Sequence, residues 1–207
     1  MTKVQPAAVE FTVKPLGPGT WADFAALAER HNGVWGGCWC TWFHCETNGE
    51  RRAARGETYG SHREFKKQRV EAGTAHAALV FDGETAVGWC EFGPPDELPG
   101  IKYRKEYLEK TEALPDYRIT CFFLDKAYRR QGVSAIALDG ALDLIAAAGG
   151  GVVESYPQDT RGEKVSASFL YNGTRSLFER AGFTFVRTQG AKHTVMTKTV
   201  APSHFNV

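Results

Sequence analysis

The stretch CFFLDKAYRRQGVSAIALDGALDLIAAAGGGVVESYP, from Cys121 to Pro157, constrains the fold more than any other part of the chain. Cys121 to Leu124 is an apolar run of strand length, a polar turn follows, and RRQGVS then opens a long apolar-periodic helix. Gly149 to Gly151 end that helix ahead of a second apolar run, Val152 to Tyr156. Strand, helix and strand in this order predict a parallel pair joined by a right-handed crossover. The first turn of such a helix carries N–H groups without intrahelical partners and a partial positive charge, so an anion there is held by both. Arg129 and Arg130 stand beside it, which makes a phosphate-bearing ligand the expected occupant. Gly132 has no Cβ to keep phosphate from the backbone, and small Ser134 and Ala135 leave the entrance uncluttered.

The segment is neither the Rossmann GxGxxG pattern nor a P-loop, since no GK[ST] follows. Arg129, Arg130, Gln131, Gly132, Val133 and Ser134 instead resemble the R/Q-x-x-G-x-G/A signature of the GNAT acyltransferase superfamily. Only Ser134 departs, standing where glycine or alanine is usual. Downstream, LFERAGFTFV from Leu177 to Val186 resembles the second signature of that superfamily, a short helix ending at Gly-Phe before a strand. The order and spacing of the two agree with the family.

The remaining elements follow the same plan. Val9 to Leu16 alternates as a strand, and Thr20 is placed to cap a helix through Arg30. Ser61 is placed to cap a helix reaching about Ala72, and AHAALVFDGETAVGWCEFG reads as a hairpin around Asp82-Gly83. Residues 94–116 look inserted between prolines, with a short amphipathic helix from Tyr103 to Glu112, and read as a surface excursion, a lid or an interface. A helix around Thr174 to Arg180 and strands near Phe183 to Arg187 and His193 to Thr199 complete the chain. The expected fold is α+β, a mixed and mainly antiparallel sheet flanked by helices, in one GNAT-like domain over 1–207.

Bulk properties narrow the function. With 207 residues and 43% hydrophobic content, one well-buried core is affordable and two are not. A net charge of +1 lacks the basic excess of a nucleic-acid binder, and the local basic run from Arg51 to Arg69 reads as a solvated helix face. No apolar run approaches the roughly 20 residues that span a bilayer, and MTKVQPAAVEF lacks a signal-peptide core, so no membrane is expected and the location is read as cytoplasmic. Five cysteines, an odd number at irregular spacing, are expected to be reduced thiols. Cys90 and Cys121 are placed on strands expected to neighbour one another.

The resemblance implies acetyl-CoA, or another acyl-CoA, lying between the strand that ends at Leu124 and the strand that ends at Tyr156. Backbone groups of Phe122, Phe123 and Leu124 would bond the pantetheine arm as a further strand would, with the Leu124 N–H directed at the thioester oxygen. The acceptor is then a primary amine, which must lose a proton before attack. Glu91, on the strand before residues 94–116, is the first candidate base, with Glu154 and His44 in reserve. The family commonly protonates the leaving thiolate with a tyrosine at the position Phe178 occupies here; phenylalanine cannot, and Tyr156, or failing it Tyr171, is the substitute. No bound metal is expected.

From Asn32 to Gly60 lies a loop with Trp35, Trp39, Trp42 and Phe43, too apolar for a disordered linker. By resemblance this loop shapes the acceptor side, where Trp39, Cys40, Trp42 and His44 are the expected substrate contacts. Cys38, Cys40, His44 and Cys45 form C-x-C-x3-H-C, a string too compact for easy tetrahedral closure around zinc. The leading reading is a CoA-dependent N-acetyltransferase that acts on a small-molecule amine by direct transfer in a ternary complex. A homodimer is admitted as an assembly. Two other readings stand beside it: a CoA-binding sensor without turnover, suggested by Phe178, and a metal- or redox-responsive module built on the Cys38 to Cys45 loop.

Overall fold

Gly83, at φ 56°, turns the chain between β2 (His76–Asp82) and β3 (Thr85–Gly93), the hairpin its Asp-Gly dipeptide predicts. The computed structural model describes residues 10–58 and 60–203, with only the backbone of Glu57. Val9, where the first strand was expected to begin, lies outside them. The other strands are β1 (Phe11–Pro15), β4 (Tyr117–Leu124), β5 (Gly151–Ser155), β6 (Thr184–Gln189) and β7 (His193–Val200). They form one sheet in the order β1-β2-β3-β4-β5-β7-β6, and β4 with β5 is its only parallel pair among the described residues.

The helices are α1 (Trp21–Arg30), α2 (Asn48–Arg52), α3 (His62–Glu71), α4 (Arg104–Glu109), α5 (Val133–Ala147) and α6 (Arg175–Arg180). Ser61 caps α3, its Oγ accepting from the Glu64 N–H at 3.1 Å, and Thr174 caps α6 in the same way. Thr20 sits at the N-cap of α1, but its hydroxyl donates to the Pro15 carbonyl instead. The short α2, inside the aromatic loop, had no apolar periodicity to announce it.

Strand alternation sorts the core into two layers. Trp89, Cys121 and Phe123 face one side with Phe24, Leu27 and Ala28 of α1, Val70 of α3 and the aromatic loop. Cys90, Phe122 and Ile119 face the other with α5, Leu177, Phe178 and Phe183. Cys90 and Cys121 are therefore on opposite faces despite neighbouring positions in the ladder, where Cys90 opposes Phe122 and Glu91 opposes Cys121. Helix α5 lies close to β1: a Cβ on Gly140 would come within 2.6 Å of Val13 Cγ1, so only glycine lets the helix settle there.

Residues 94–116 are not a surface excursion. Leu98, Ile101 and Tyr107 are buried, the last completely. The Tyr107 hydroxyl donates to Glu154 Oε2 at 2.6 Å, Arg118 Nη1 donates to the Leu98 carbonyl at 2.8 Å, and Gln189 Nε2 donates to the Lys102 carbonyl at 2.9 Å. Alternating apolar residues in a short segment were ambiguous; tertiary packing turned them inward. Tyr107→Ala should therefore cost about 3–5 kcal/mol in urea denaturation, as other large aromatic truncations do, whereas a solvated excursion would cost within about 0.5 kcal/mol.

Candidate active site

The functional region grows from a local break in the sheet. β4 and β5 pair only from Tyr117↔Val153 to Ile119↔Ser155, after which β5 ends and Pro157, without an N–H, cannot extend the ladder. β4 continues to Leu124 with one edge open. Part of that edge is closed by the chain before α6: the Asn172 amide donates to the Thr120 carbonyl at 2.5 Å, and the Phe122 N–H donates to the Tyr171 carbonyl at 2.6 Å. The Phe122 amide expected to meet a ligand is thus already committed. By alternation the Leu124 N–H points the same way and stays on the open part of the edge.

At the mouth of this opening Gly132 caps α5 at φ 81°, a left-handed conformation in which a Cβ would meet nothing within 4 Å. The Ala135 and Ile136 N–H groups both bond the Gly132 carbonyl, at 2.8 and 3.2 Å, which leaves the Val133 and Ser134 amides as the free donors of the first turn. Arg129 and Ser134 line a cavity of about 230 Å³ together with Phe122, Phe123, Leu124 and, from α6, Arg180. Arg130 is exposed at φ 63°, and the Gln131 side chain folds back to donate to the Ala127 carbonyl at 2.8 Å. Of the expected binding string, Arg129 and Ser134 line the cavity; the Val133 side chain is buried in the core. Arg180 was missed although it lies within the second signature, because sequence spacing does not tell which face of a short helix meets the opening.

A second cavity, of about 280 Å³, adjoins the first along β4 under the aromatic loop. Trp35, Cys38, Cys40, Trp42, Phe43 and Tyr171 are among its walls, and Cys121 forms its floor. Trp35 walls both cavities, and its buried indole N–H has no hydrogen-bond partner among the described residues. Cys40 and Cys121 are joined as a disulfide with Cα atoms 6.5 Å apart, which corrects the expectation of reduced thiols at two of the five positions. Eighty-one residues separate them in sequence, so no spacing rule could pair them. Trp39 packs against Trp21 and Phe24 and does not line this cavity.

The string C-x-C-x3-H-C does not converge. Cys45 packs with Ala54 and Phe65, and His44 turns inward to a buried polar cluster. The Lys66 ammonium, 1% exposed and not on a solvated helix face as expected, donates to Glu91 Oε1 at 2.6 Å and to His44 Nε2 at 2.8 Å. His44 Nδ1 donates to the Glu97 carbonyl at 2.9 Å, fixing the tautomer, and the Thr120 hydroxyl donates to Glu91 Oε2 at 2.8 Å. Burial, the largest single influence, works to raise the Glu91 carboxyl, and the charges and hydrogen bonds of Lys66 and His44 together outweigh it, holding the group at about 2. Burial first and Lys66 second hold His44 at about 4.

These placements bear on the expected catalytic groups. Glu91 is buried with both oxygens engaged and lines neither cavity, although its carboxylate lies within 4.8 Å of the Cys40 and Cys121 sulfurs. Tyr156 lines neither cavity; its hydroxyl donates to Glu154 Oε2 at 2.9 Å beneath Tyr107, and burial pushes its phenol well above the usual range. Tyr171 is the phenol that does line the second cavity. Phe178 is buried among Phe122 and Phe183 as a core residue.

The site thus combines an open edge between two parallel strands, a helix N-terminus at its mouth and two adjoining cavities. Residues 38–164 match the sequence model of the Acetyltransferase (GNAT) family, and the chain belongs to that family. Among solved structures it is similar to a histone acetyltransferase HPA2-related acetyltransferase of Corynebacterium glutamicum, with a TM-score of 0.54 and 16% identity over 95% of this chain and 99% of that one. An acetyltransferase of Salmonella typhimurium, solved with acetyl-CoA, gives 0.51 and 16% over 93% and 98%. RimL, a ribosomal-protein alpha-N-acetyltransferase solved with coenzyme A, gives 0.50 and 13% over 96% and 98%. At these identities the likeness concerns the fold. No curated protein matches the chain. Among the described residues no helix is long and apolar enough to cross a membrane.

Two outcomes are expected of the buried cluster. Lys66→Met should destabilise by about 3–5 kcal/mol in denaturant titration, because it strands the Glu91 charge. Stability should also fall with acidification. The unfolded chain protonates His44 at its ordinary 6.5 while the folded chain waits until about 4. The carboxyl of Glu91 extends the loss from its ordinary 4.5 down to about 2. Urea midpoints measured from pH 7 to pH 4 check the sign.

Proposed function

We propose that this GNAT acetyltransferase carries an acetyl group from acetyl-CoA to a primary amine of a small molecule, by direct attack with both substrates bound. The observation that supports it best is the meeting of the two cavities at β4, where Phe122, Phe123 and Leu124 line one, Cys121 the other, and Trp35 walls both. A donor in one and an acceptor in the other are neighbours along a single strand, which supplies the proximity that group transfer needs.

Bound acetyl-CoA brings an acyl group already activated as a thioester. The protein's part is to hold and orient. Arg129 and the free Val133 and Ser134 amides suit a phosphate group, and the Leu124 N–H suits an oxygen on which negative charge develops during transfer. The unpartnered Trp35 indole N–H is a further donor at the junction. Tyr171, lining the acceptor side, replaces Tyr156 as the group placed to return a proton to the departing thiolate. Glu91 serves as a buried anchor of the loop, and the amine gives its proton to water.

The apolar walls of Trp35, Trp42 and Phe43 favour an amine with a partly apolar body. A cleft of about 710 Å³ shares Trp35, Cys38 and Trp42 with that cavity and is lined by Arg51, Arg55 and Arg63 without a carboxylate among the described residues. Those charges disfavour a polycationic acceptor such as a polyamine.

The test is thiol release from acetyl-CoA in the presence of aromatic monoamines, polyamines and peptides, with turnover expected for the first. Gly132→Glu should abolish acetyl-CoA binding by setting a carboxylate against phosphate. Gly132→Ala, which carries the same left-handed backbone penalty of about 1–2 kcal/mol and a Cβ but no charge, should weaken binding far less than Gly132→Glu does. Equal affinity of the Glu variant and the wild type in calorimetry would refute the reading.

A further inference from the structure

Between Asn32 and Cys40 the backbone is held in an unusual state. Asn32, Val34, Trp35, Trp39 and Cys40 all have φ between 44° and 53°, in the left-handed region that side chains larger than glycine avoid. Each such residue is strained, and a run of them persists only where surrounding structure over-determines it. The Cys40–Cys121 bond is the covalent part of that constraint, tying the loop to the middle of β4. The same loop supplies Trp35, Cys38, Cys40, Trp42 and Phe43 to the acceptor-side cavity, so tether and cavity wall are one object.

A purely structural disulfide is sealed in packed side chains. This one joins two residues that line a cavity while being only 1% and 2% exposed, so a single thin wall separates the bond from the cavity interior. The other three thiols are unlike it: Cys90 faces α5, Cys45 packs beside Phe65, and Cys38 stands free on the same cavity.

We propose that Cys40–Cys121 is a thiol-exchange site, opened by a low-molecular-weight thiol entering the acceptor-side cavity, and that its redox state sets the shape of that cavity. In the first step the thiolate attacks Cys121 Sγ, a new S–S bond forms, the Cys40–Cys121 bond breaks, and Cys40 leaves as a thiolate that then takes a proton. The Trp89 indole N–H, 3.2 Å from Cys40 Sγ, favours this leaving group. The nearby Glu91 carboxylate opposes it, with its charge countered by Lys66 at 2.6 Å. A second thiol attacks the mixed disulfide at its own sulfur, releasing the Cys121 thiol and a symmetrical small disulfide; two electrons pass from the small thiols to the protein. The loop, no longer tethered, relaxes from its left-handed run and moves Trp35 and Trp42.

This rests on the acceptor reading of the cavity only for its effect on catalysis, so the experiment separates the two. Alkylation under denaturing conditions should modify three cysteines before reduction and five after. Intrinsic tryptophan fluorescence should change reversibly between reduced and oxidised glutathione, and Cys40→Ser and Cys121→Ser should hold the reduced spectrum in both. In the wild type the KM for the amine should differ by about fivefold or more between the two media, while the KM for acetyl-CoA stays put. Five alkylated cysteines without reductant, or fluorescence and amine KM indifferent to glutathione, would overturn the proposal. If no amine is turned over, the thiol count and fluorescence still decide it, and the acceptor reading alone falls.

Discussion

The molecule is organised by a mismatch in length between two parallel strands. β5 stops at Ser155 and Pro157 denies it a further donor, while β4 runs on to Leu124. Backbone groups cannot stay unpaired inside a protein without cost, so the exposed edge must be met by other chain, by water or by a ligand. Asn172 and Tyr171 meet its first part. What remains open lies beside the free amides of α5, and it lies there because β4 and α5 are joined by one short turn. The same strand lines one cavity with Phe122 to Leu124 and the other with Cys121, so that a single stretch of β4 borders both.

The aromatic loop is fastened to this frame in two chemically different ways. On one side the Lys66, Glu91, His44 and Thr120 cluster joins α3, β3, the loop and β4 through buried hydrogen bonds. Such a cluster is strong only when every member is present, since removing one leaves a buried charge or donor stranded. On the other side a covalent link ties Cys40 to Cys121. The polar cluster is fixed by burial, whereas the covalent link can be cut by chemistry at its own sulfurs.

Much of the fold was legible in the chain because its signals are local. Gly132 at a helix mouth, Ser61 and Thr174 as caps, the Asp82-Gly83 turn and the glycines after α5 each act within a few residues, and the elements stand where those residues put them. Helix α4 came out shorter than its amphipathic pattern, because tertiary packing trims the ends of a marginal helix. The candidate site was legible only in part. Arg129, Ser134 and Leu124 border the opening, but Gln131 folds back and the Phe122 amide is taken by Tyr171. Strand position points to Glu91 and Tyr156 as catalytic groups, but it does not reveal that Lys66 and Glu154 engage them.

By itself the sequence determined the order of elements, the mixed sheet and the anion-receptive helix entrance, since periodicity, capping and turn chemistry are short-range effects. Only the tertiary structure decided that Lys66 is buried, that residues 94–116 pack inward, and that Cys40 meets Cys121 across eighty-one residues. Those outcomes depend on which faces are pressed together once the sheet has formed. Contact between residues distant along the chain is settled by packing and desolvation, and neither is written in any one segment.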